Sequence, residues 1–287
     1  MPELSLTRPR EHARSVPDPG TRLAPRPRRG RRLGPGRAVP GALLVGPVLL
    51  LIAWILGSGT GLLDPNTLSP PWTVVTTFGD LVADGRLQSN LLTSVRRAGI
   101  ALVIGIGLGV VLALVSGLSR TGEALIDGPV QIKRAIPTLA LIPLAIIWFG
   151  IGEEMKIIVI AASVFVPVYI NTHAALSGVD GRYVELAETV GLSRRAFVRR
   201  VALPGALPGF FTGLRLAVTI SWLALVVVEQ VNATSGIGYL MTQARNYGRT
   251  EVIVVGLVVY AVFGLVGDTV VRQIERRALS WRRTLGS

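Results

Sequence analysis

Long apolar runs decide what this chain can fold into. Six of them, at residues 40–57, 98–117, 135–151, 157–177, 210–231 and 252–271, approach the ~20 residues that cross ~30 Å of hydrocarbon at ~1.5 Å per residue. A soluble protein can bury one such run as a core helix. Six in a chain of 287 residues would leave too little polar surface to cover them. Only 16% of the residues are charged, against roughly 25% in a soluble domain. The expected fold is therefore an all-α polytopic membrane protein with about six transmembrane helices.

The net charge of +13 raises the possibility of nucleic-acid binding. The positions of the basic residues answer it. With the N-terminus on the inside, only 6 of the 30 Lys and Arg residues (Arg86, Arg96, Arg97, Lys156, Arg245 and Arg249) fall in outside segments, and Arg215 falls within the fifth run. All the others lie on the opposite face, as the positive-inside rule requires of a membrane protein. This orients both termini to the cytoplasm and excludes nucleic acid as a partner. Residues 1–37, rich in Arg, Pro and Gly, read as a disordered basic tail. The tail is either solvated or drawn to anionic membrane lipid. Residues 38–271 read as the transmembrane domain and 272–287 as a second basic cytoplasmic tail. The chain has no cysteine, so disulfides, thiolate metal sites and cysteine nucleophiles are excluded.

Residues 70–82 (PPWTVVTTFGDLV) carry prolines suited to a first helical turn and aromatic residues suited to an interface. Gly105 and Gly109 in the second run form a small-xxx-small pair that lets two helix backbones approach. Pro137, Pro143 and Pro167 interrupt the third and fourth runs, where they kink helices and free carbonyls. Three ionisable residues lie inside apolar runs and are costly there. Arg215 reads as snorkelling from the inner end, Glu229 as reaching water at the outer end, and Asp268 as an i,i+4 partner of Arg272. His173 reads as a packing residue.

The loop at 178–209 is not polar throughout. Leu186, Val190, Phe197, Val198 and Val201 recur at helical spacing, Gly191 interrupts them, and Ser193 is a plausible N-cap. The expectation is two short helices, the second ended by Leu203-Pro204. Such a hairpin either rests on lipid headgroups or docks into a groove on another protein.

Glu185-Leu186-Ala187, then three residues, Gly191, nine residues, and Val201-Ala202-Leu203-Pro204 closely resemble the E-A-A-x3-G-x9-I-x-L-P loop of binding-protein-dependent ABC importer permeases. Leu186 and Val201 are mild departures from that pattern. The stretches from Pro137 (PTLALIPLAIIWFGIGEEMKI), Phe165 (FVPVYINTHAALSGVD) and Ala233 (ATSGIGYLMTQARN) are similar to the aliphatic sulfonate, nitrate and taurine branch, above all to aliphatic sulfonate permeases. The similarity spans roughly residues 70–283.

The resemblance implies a type I ABC importer permease fold in a bacterial inner membrane. It implies ABC ATPase subunits on the cytoplasmic side, an extracytoplasmic substrate-binding protein, and a second permease copy forming a homodimer. It also makes the chain a non-catalytic transport subunit without a cofactor of its own, ATP and Mg belonging to the ATPase. In agreement, the sequence contains no G-x-x-x-x-G-K-[ST] loop, so nothing in it cradles nucleotide phosphates. On this reading Glu185, Ala187, Gly191, Arg194, Phe197, Leu203 and Pro204 dock the ATPase. Thr138, Asn171, Ser221, Trp222 and Glu229 are candidates for a polar translocation path. The rival is a stand-alone ion-coupled carrier, disfavoured because residues 40–151 and 157–271 show no internal repeat.

Overall fold

The computed structural model describes residues 42–231 and 233–281. The basic tail expected at 1–37 and the last residues of the C-terminal tail lie outside these. The chain divides into two units, Met1–Leu49 and Leu50–Ser287, and the helical bundle belongs to the second. Every regular element among the described residues is helical: α1 (Ala42–Gly59), α2 (Pro71–Ala83), α3 (Arg86–Gly117), α4 (Arg120–Ala135), α5 (Ile142–Phe149), α6 (Glu153–Ser177), α7 (Gly181–Thr189), α8 (Arg194–Phe197), α9 (Leu203–Gln230), α10 (Ile237–Asn246) and α11 (Thr250–Ala278).

Among the described residues, four helices are long and apolar enough to cross a membrane: α3, α6, the continuous helix Arg194–Gln230, and α11. A fifth crossing is available if α4 and the segment Thr138–Phe149, bent by 89° at their junction, count as one. The apolar helix Val45–Gly59 is shorter. Among the described residues, four continuous helices and one broken pair thus have the length and apolarity of a crossing, where the sequence leads to an expectation of about six.

The break has a local cause. Ile136 precedes Pro137, and the proline ring pushes the residue before it out of the α region. Ile136 is accordingly extended at φ −91°, ψ 119° and ends α4. The chain then makes a 3-10 turn at Thr138–Leu141 and restarts as α5, with Pro143 in its first turn, where a missing N–H costs nothing.

α6 is the spine of the bundle, packed between α3 and α9. On the α3 side, a Cβ at Gly105 would lie 2.6 Å from Val164 Cγ1, and one at Gly109 would lie 2.8 Å from the Phe165 carbonyl. The small-xxx-small expectation is therefore met by direct backbone approach. On the α9 side, Gly209 and Gly213 meet Asn171, Ala175 and Pro167 in the same way. Between these contacts sit Ala101, Ile160, Val164, Val168, Ala217 and Leu225, all fully or nearly fully buried. A second cluster joins α2, α10 and α11 through Leu81, Ile237, Leu240 and Val255.

Candidate functional site

Three features stand out on this frame: a hairpin beyond the ends of α6 and α9, a cavity at the broken span, and a buried ionic cluster.

The hairpin begins at α7, whose N-cap Asp180 accepts a hydrogen bond from the Arg182 N–H. It closes with two backbone bonds, Leu192 N–H to the Ala187 carbonyl at 2.8 Å and Gly191 N–H to the Glu188 carbonyl at 3.0 Å. This is a Schellman arrangement, and it places Gly191 at φ +70°, where L side chains are strained. Ser193 then caps α8 by accepting from the Ala196 N–H, as expected from the sequence.

The second arm does not stop at Leu203-Pro204. It passes through a π-helical turn, Val198–Ala202, straight into α9. Proline lacks the N–H that an α-helix would use at position 204. The wider register, in which the Leu203 N–H bonds the Val198 carbonyl, absorbs that loss, so the helix continues.

The cavity, about 520 Å³, opens where α4 breaks, between α4, α6 and α9. Thr138 and Asn171 line it beside Lys133, Arg134 and Ser163, and Leu216, Ile220 and Leu223 form an apolar wall.

The ionic cluster lies at the other end of α6. Glu229 is 1% exposed and Arg97 2%. The Glu229 carboxylate accepts from Arg97 Nη1 at 2.7 Å, Ser94 Oγ at 2.8 Å, the Gly238 N–H at 2.9 Å and the Tyr260 hydroxyl at 3.1 Å. Arg97 also donates to both oxygens of Glu153, to the Ser235 carbonyl and to Ser235 Oγ. Lys156 donates to Glu153 at 3.0 Å. Ser94 Oγ accepts from the Ile237 N–H, and Asn90 Oδ1 from the Gly236 N–H. Two cations and two carboxylates thus bind α3, α6, α9, α11 and the loop before α10 into one unit. Charges buried this deeply persist only when paired and hydrogen-bonded.

Residues 105–280 match the family model described as "Binding-protein-dependent transport system inner membrane component". The chain belongs to this family. It is 37% identical over 255 residues to the putative aliphatic sulfonates transport permease protein SsuC of Bacillus subtilis (strain 168), covering 88% of this chain and 92% of that protein. It is 44% identical over 235 residues to the protein of the same name in Escherichia coli (strain K12), covering 82% and 89%. It is 32% identical over 239 residues to the taurine transport system permease protein TauC of Escherichia coli (strain K12), covering 82% and 86%. Among solved structures, one titled "Crystal structure of an amino acid ABC transporter with histidines" aligns with a TM-score of 0.59 at 18% identity, over 70% of this chain and 97% of that one. The fold is that of ABC importer permeases, and the chain is a multi-pass membrane permease subunit.

Within the permease, the residues singled out in the sequence separate into groups. Glu185 and Leu203 are exposed on the hairpin, and Gly191 forms its bend. Ala187 is buried, and Phe197 packs inward against Leu176, Ala202 and Ala206. Arg194 donates to the Leu118 carbonyl at 2.7 Å, tying the hairpin to the end of α3. Pro204 borders a second cavity of about 840 Å³ beside Asp180, Tyr183, Arg200 and Trp281.

Of the path candidates, Thr138 and Asn171 share the first cavity, whereas Ser221, Trp222 and Glu229 do not line it. Ser221 is fully buried and donates to the Val218 carbonyl, and Trp222 packs on Phe263 with centroids 5.5 Å apart. Glu229 does not reach water, because its carboxylate is sealed in the ionic cluster. Arg215 does not simply snorkel; it pairs with Asp268 at 3.1 Å, and Asp268 also binds Arg272 as expected. His173 stacks on Tyr169, in keeping with a packing role.

Sequence reasoning misses Lys133 and the Arg97–Glu229 partnership. Lys133 and Arg97 flank apolar runs and so read as loop residues. The pairing of Arg97 with Glu229 spans 132 positions, a separation no local pattern encodes.

Proposed function

We propose that this permease is the channel-forming subunit of an importer that moves a small organic anion, an aliphatic sulfonate or a taurine-like or nitrate-like solute, into the cytoplasm. Separate ATPase subunits dock on the hairpin and supply the energy, an extracytoplasmic binding protein delivers the substrate, and two permease copies form the pathway. The chain lies in a bacterial inner membrane with both termini in the cytoplasm. The relatives named for aliphatic sulfonates and taurine support the substrate class.

One observation carries the docking claim. Tyr183 and Leu186 on α7 and its C-cap Val190 recur at i, i+3 and i+7, and they are 57%, 59% and 70% exposed. Their spacing matches that of a helix laid into a groove. Meanwhile Phe197, packed on Leu176, Ala202 and Ala206, and Arg194, bonded to the Leu118 carbonyl, hold the hairpin to the bundle. An apolar stripe presented by an anchored segment is the form a force-transmitting contact needs.

The test is Leu186→Glu in the permease co-expressed with its ATPase. Leu186 is exposed, so the substitution changes stability by less than about 0.5 kcal/mol. Capture of the ATPase on a tagged permease should fall at least about tenfold, the loss of one apolar anchor at an interface. Undiminished capture refutes docking through α7. Sulfonate uptake into liposomes by the permease alone, without ATPase or binding protein, would instead establish the ion-coupled carrier.

A further inference from the structure

We propose that Lys133, with Arg134 and Thr138, forms an anion-binding subsite in the cavity at the broken span, built for a small organic anion with a short alkyl body. The proposal deepens the transport reading and rests on it.

Lys133 is one of two lysines in the sequence, the other being Lys156. Lys156 is neutralised by Glu153, as Arg97 is by Glu153 and Glu229. Lys133 is half-buried and has no carboxylate partner among the described residues. Its ammonium donates to Thr138 Oγ1 at 2.7 Å and to the Ala162 carbonyl, and it lies 5.4 Å from the centre of the Phe165 ring. An ammonium has three N–H donors, so one remains together with the full positive charge.

Those two neutral acceptors fix the position of the ammonium without cancelling its charge. Thr138 accepts from Lys133 and so retains its own O–H to donate. Arg134, the next residue, lines the same cavity and is exposed. Both cations fall in the last turn of α4, so Pro137, which breaks that helix, also sets them at the cavity edge. The opposite wall of Leu216, Ile220 and Leu223 is apolar. A volume near 520 Å³ lies within the range of small-molecule sites. An anionic head against Lys133, Arg134 and Thr138 with an alkyl tail along α9 satisfies both halves of the cavity. A sulfonate offers three acceptor oxygens and one negative charge for this.

The test uses the assembled permease, ATPase and binding protein in phosphatidylcholine vesicles, so that no anionic headgroup competes. Amine acylation is read by mass spectrometry at Lys133, with the lysines of the ATPase as the reference in the same sample. Ethanesulfonate at about ten times its half-protecting concentration should slow labelling of Lys133 about tenfold, ethanol at equal concentration should not, and the lysines of the ATPase should be unaffected. In ATP-dependent ethanesulfonate uptake, Lys133→Met should lose about tenfold, the value of one charge-assisted contact. Lys133→Arg should retain at least about half of the wild-type rate, since the charge is kept.

Equal labelling of Lys133 with and without ethanesulfonate overturns the subsite. So does Lys133→Met uptake within about twofold of wild type. Protection is scored on the unsubstituted chain and stands whether or not the variants assemble. Absence of ATP-dependent uptake by the wild-type complex defeats the substrate reading and leaves the labelling result to decide the subsite.

Discussion

Replacing Glu229 by Gln tests the ionic cluster with almost no change of shape. The carboxylate accepts from Arg97 and Ser94 on one side and from Gly238 and Tyr260 on the other. An amide has one oxygen. Whichever way it is turned, its NH₂ faces either the Arg97 guanidinium or the Gly238 N–H, and neither can accept. The hydroxyls of Ser94 and Tyr260 can rotate; those two donors cannot. One buried donor is therefore orphaned, at about 1–3 kcal/mol. Complete rupture of a buried ion pair costs about 3–5 kcal/mol, but Arg97 keeps both its bonds to Glu153. We expect a loss of about 3 kcal/mol, which at roughly 2–4 °C per kcal/mol lowers the melting temperature by about 6–12 °C. Glu153→Gln should cost about 1 kcal/mol or less, because that side chain is 53% exposed and solvent screens its pairs. Thermal unfolding of the purified permease in detergent, followed by loss of the monodisperse peak, measures both. A Glu229→Gln melting point within about 2 °C of wild type, or a larger effect from Glu153→Gln, would refute the reasoning.

Gly109→Val should destabilise by about 1–3 kcal/mol through overpacking, since its Cβ would sit 2.8 Å from the Phe165 carbonyl, whereas Gly107→Val, with nothing within 4 Å, should be near neutral in the same melting assay. Gly191→Ala should cost about 1–2 kcal/mol from its left-handed backbone alone, because the space around it is open. Gly191→Asn should cost less, and limited trypsin cleavage in the hairpin should rank the two in that order.

The apolar runs are legible in the sequence because their physics is local: about 20 residues of hydrocarbon-compatible side chains can do little else. Gly105 and Gly109 are legible for the same reason, being a spacing on one helix. Gly191 and Ser193 are legible from the conformational freedom of one and the capping oxygen of the other. Sequence and structure part where two local rules compete. Pro137 reads as a kink within a span, yet its effect on Ile136 ends the helix. Pro204 reads as a stop, yet a π turn carries the helix past it. Their distance from the ends of their runs assigns Glu229 and Arg215 to water. Their actual surroundings are set by partners on α3 and α11, which only the folded chain brings near.

The continuity of the helix through Pro204 bears directly on the proposed mechanism. Had the second arm ended there, the hairpin would hang from α9 by a flexible joint, and a push on α7 would be lost in that joint. Because Arg194–Gln230 is one helix, displacement at the hairpin is delivered to the whole of α9. That helix carries the apolar wall of the cavity through Leu216, Ile220 and Leu223 and ends at Glu229, locked to α3. The compliant element along it is the π turn at Val198–Ala202, where the backbone ladder is already irregular. Pro204→Ala restores the missing N–H and favours an ordinary α register. In the proposed reading it should change uptake per ATP hydrolysed, scored only on complexes that have captured the ATPase so that coupling is read apart from docking. If that ratio stays at the wild-type value in proteoliposomes, the π turn is a packing accommodation and α9 moves without it.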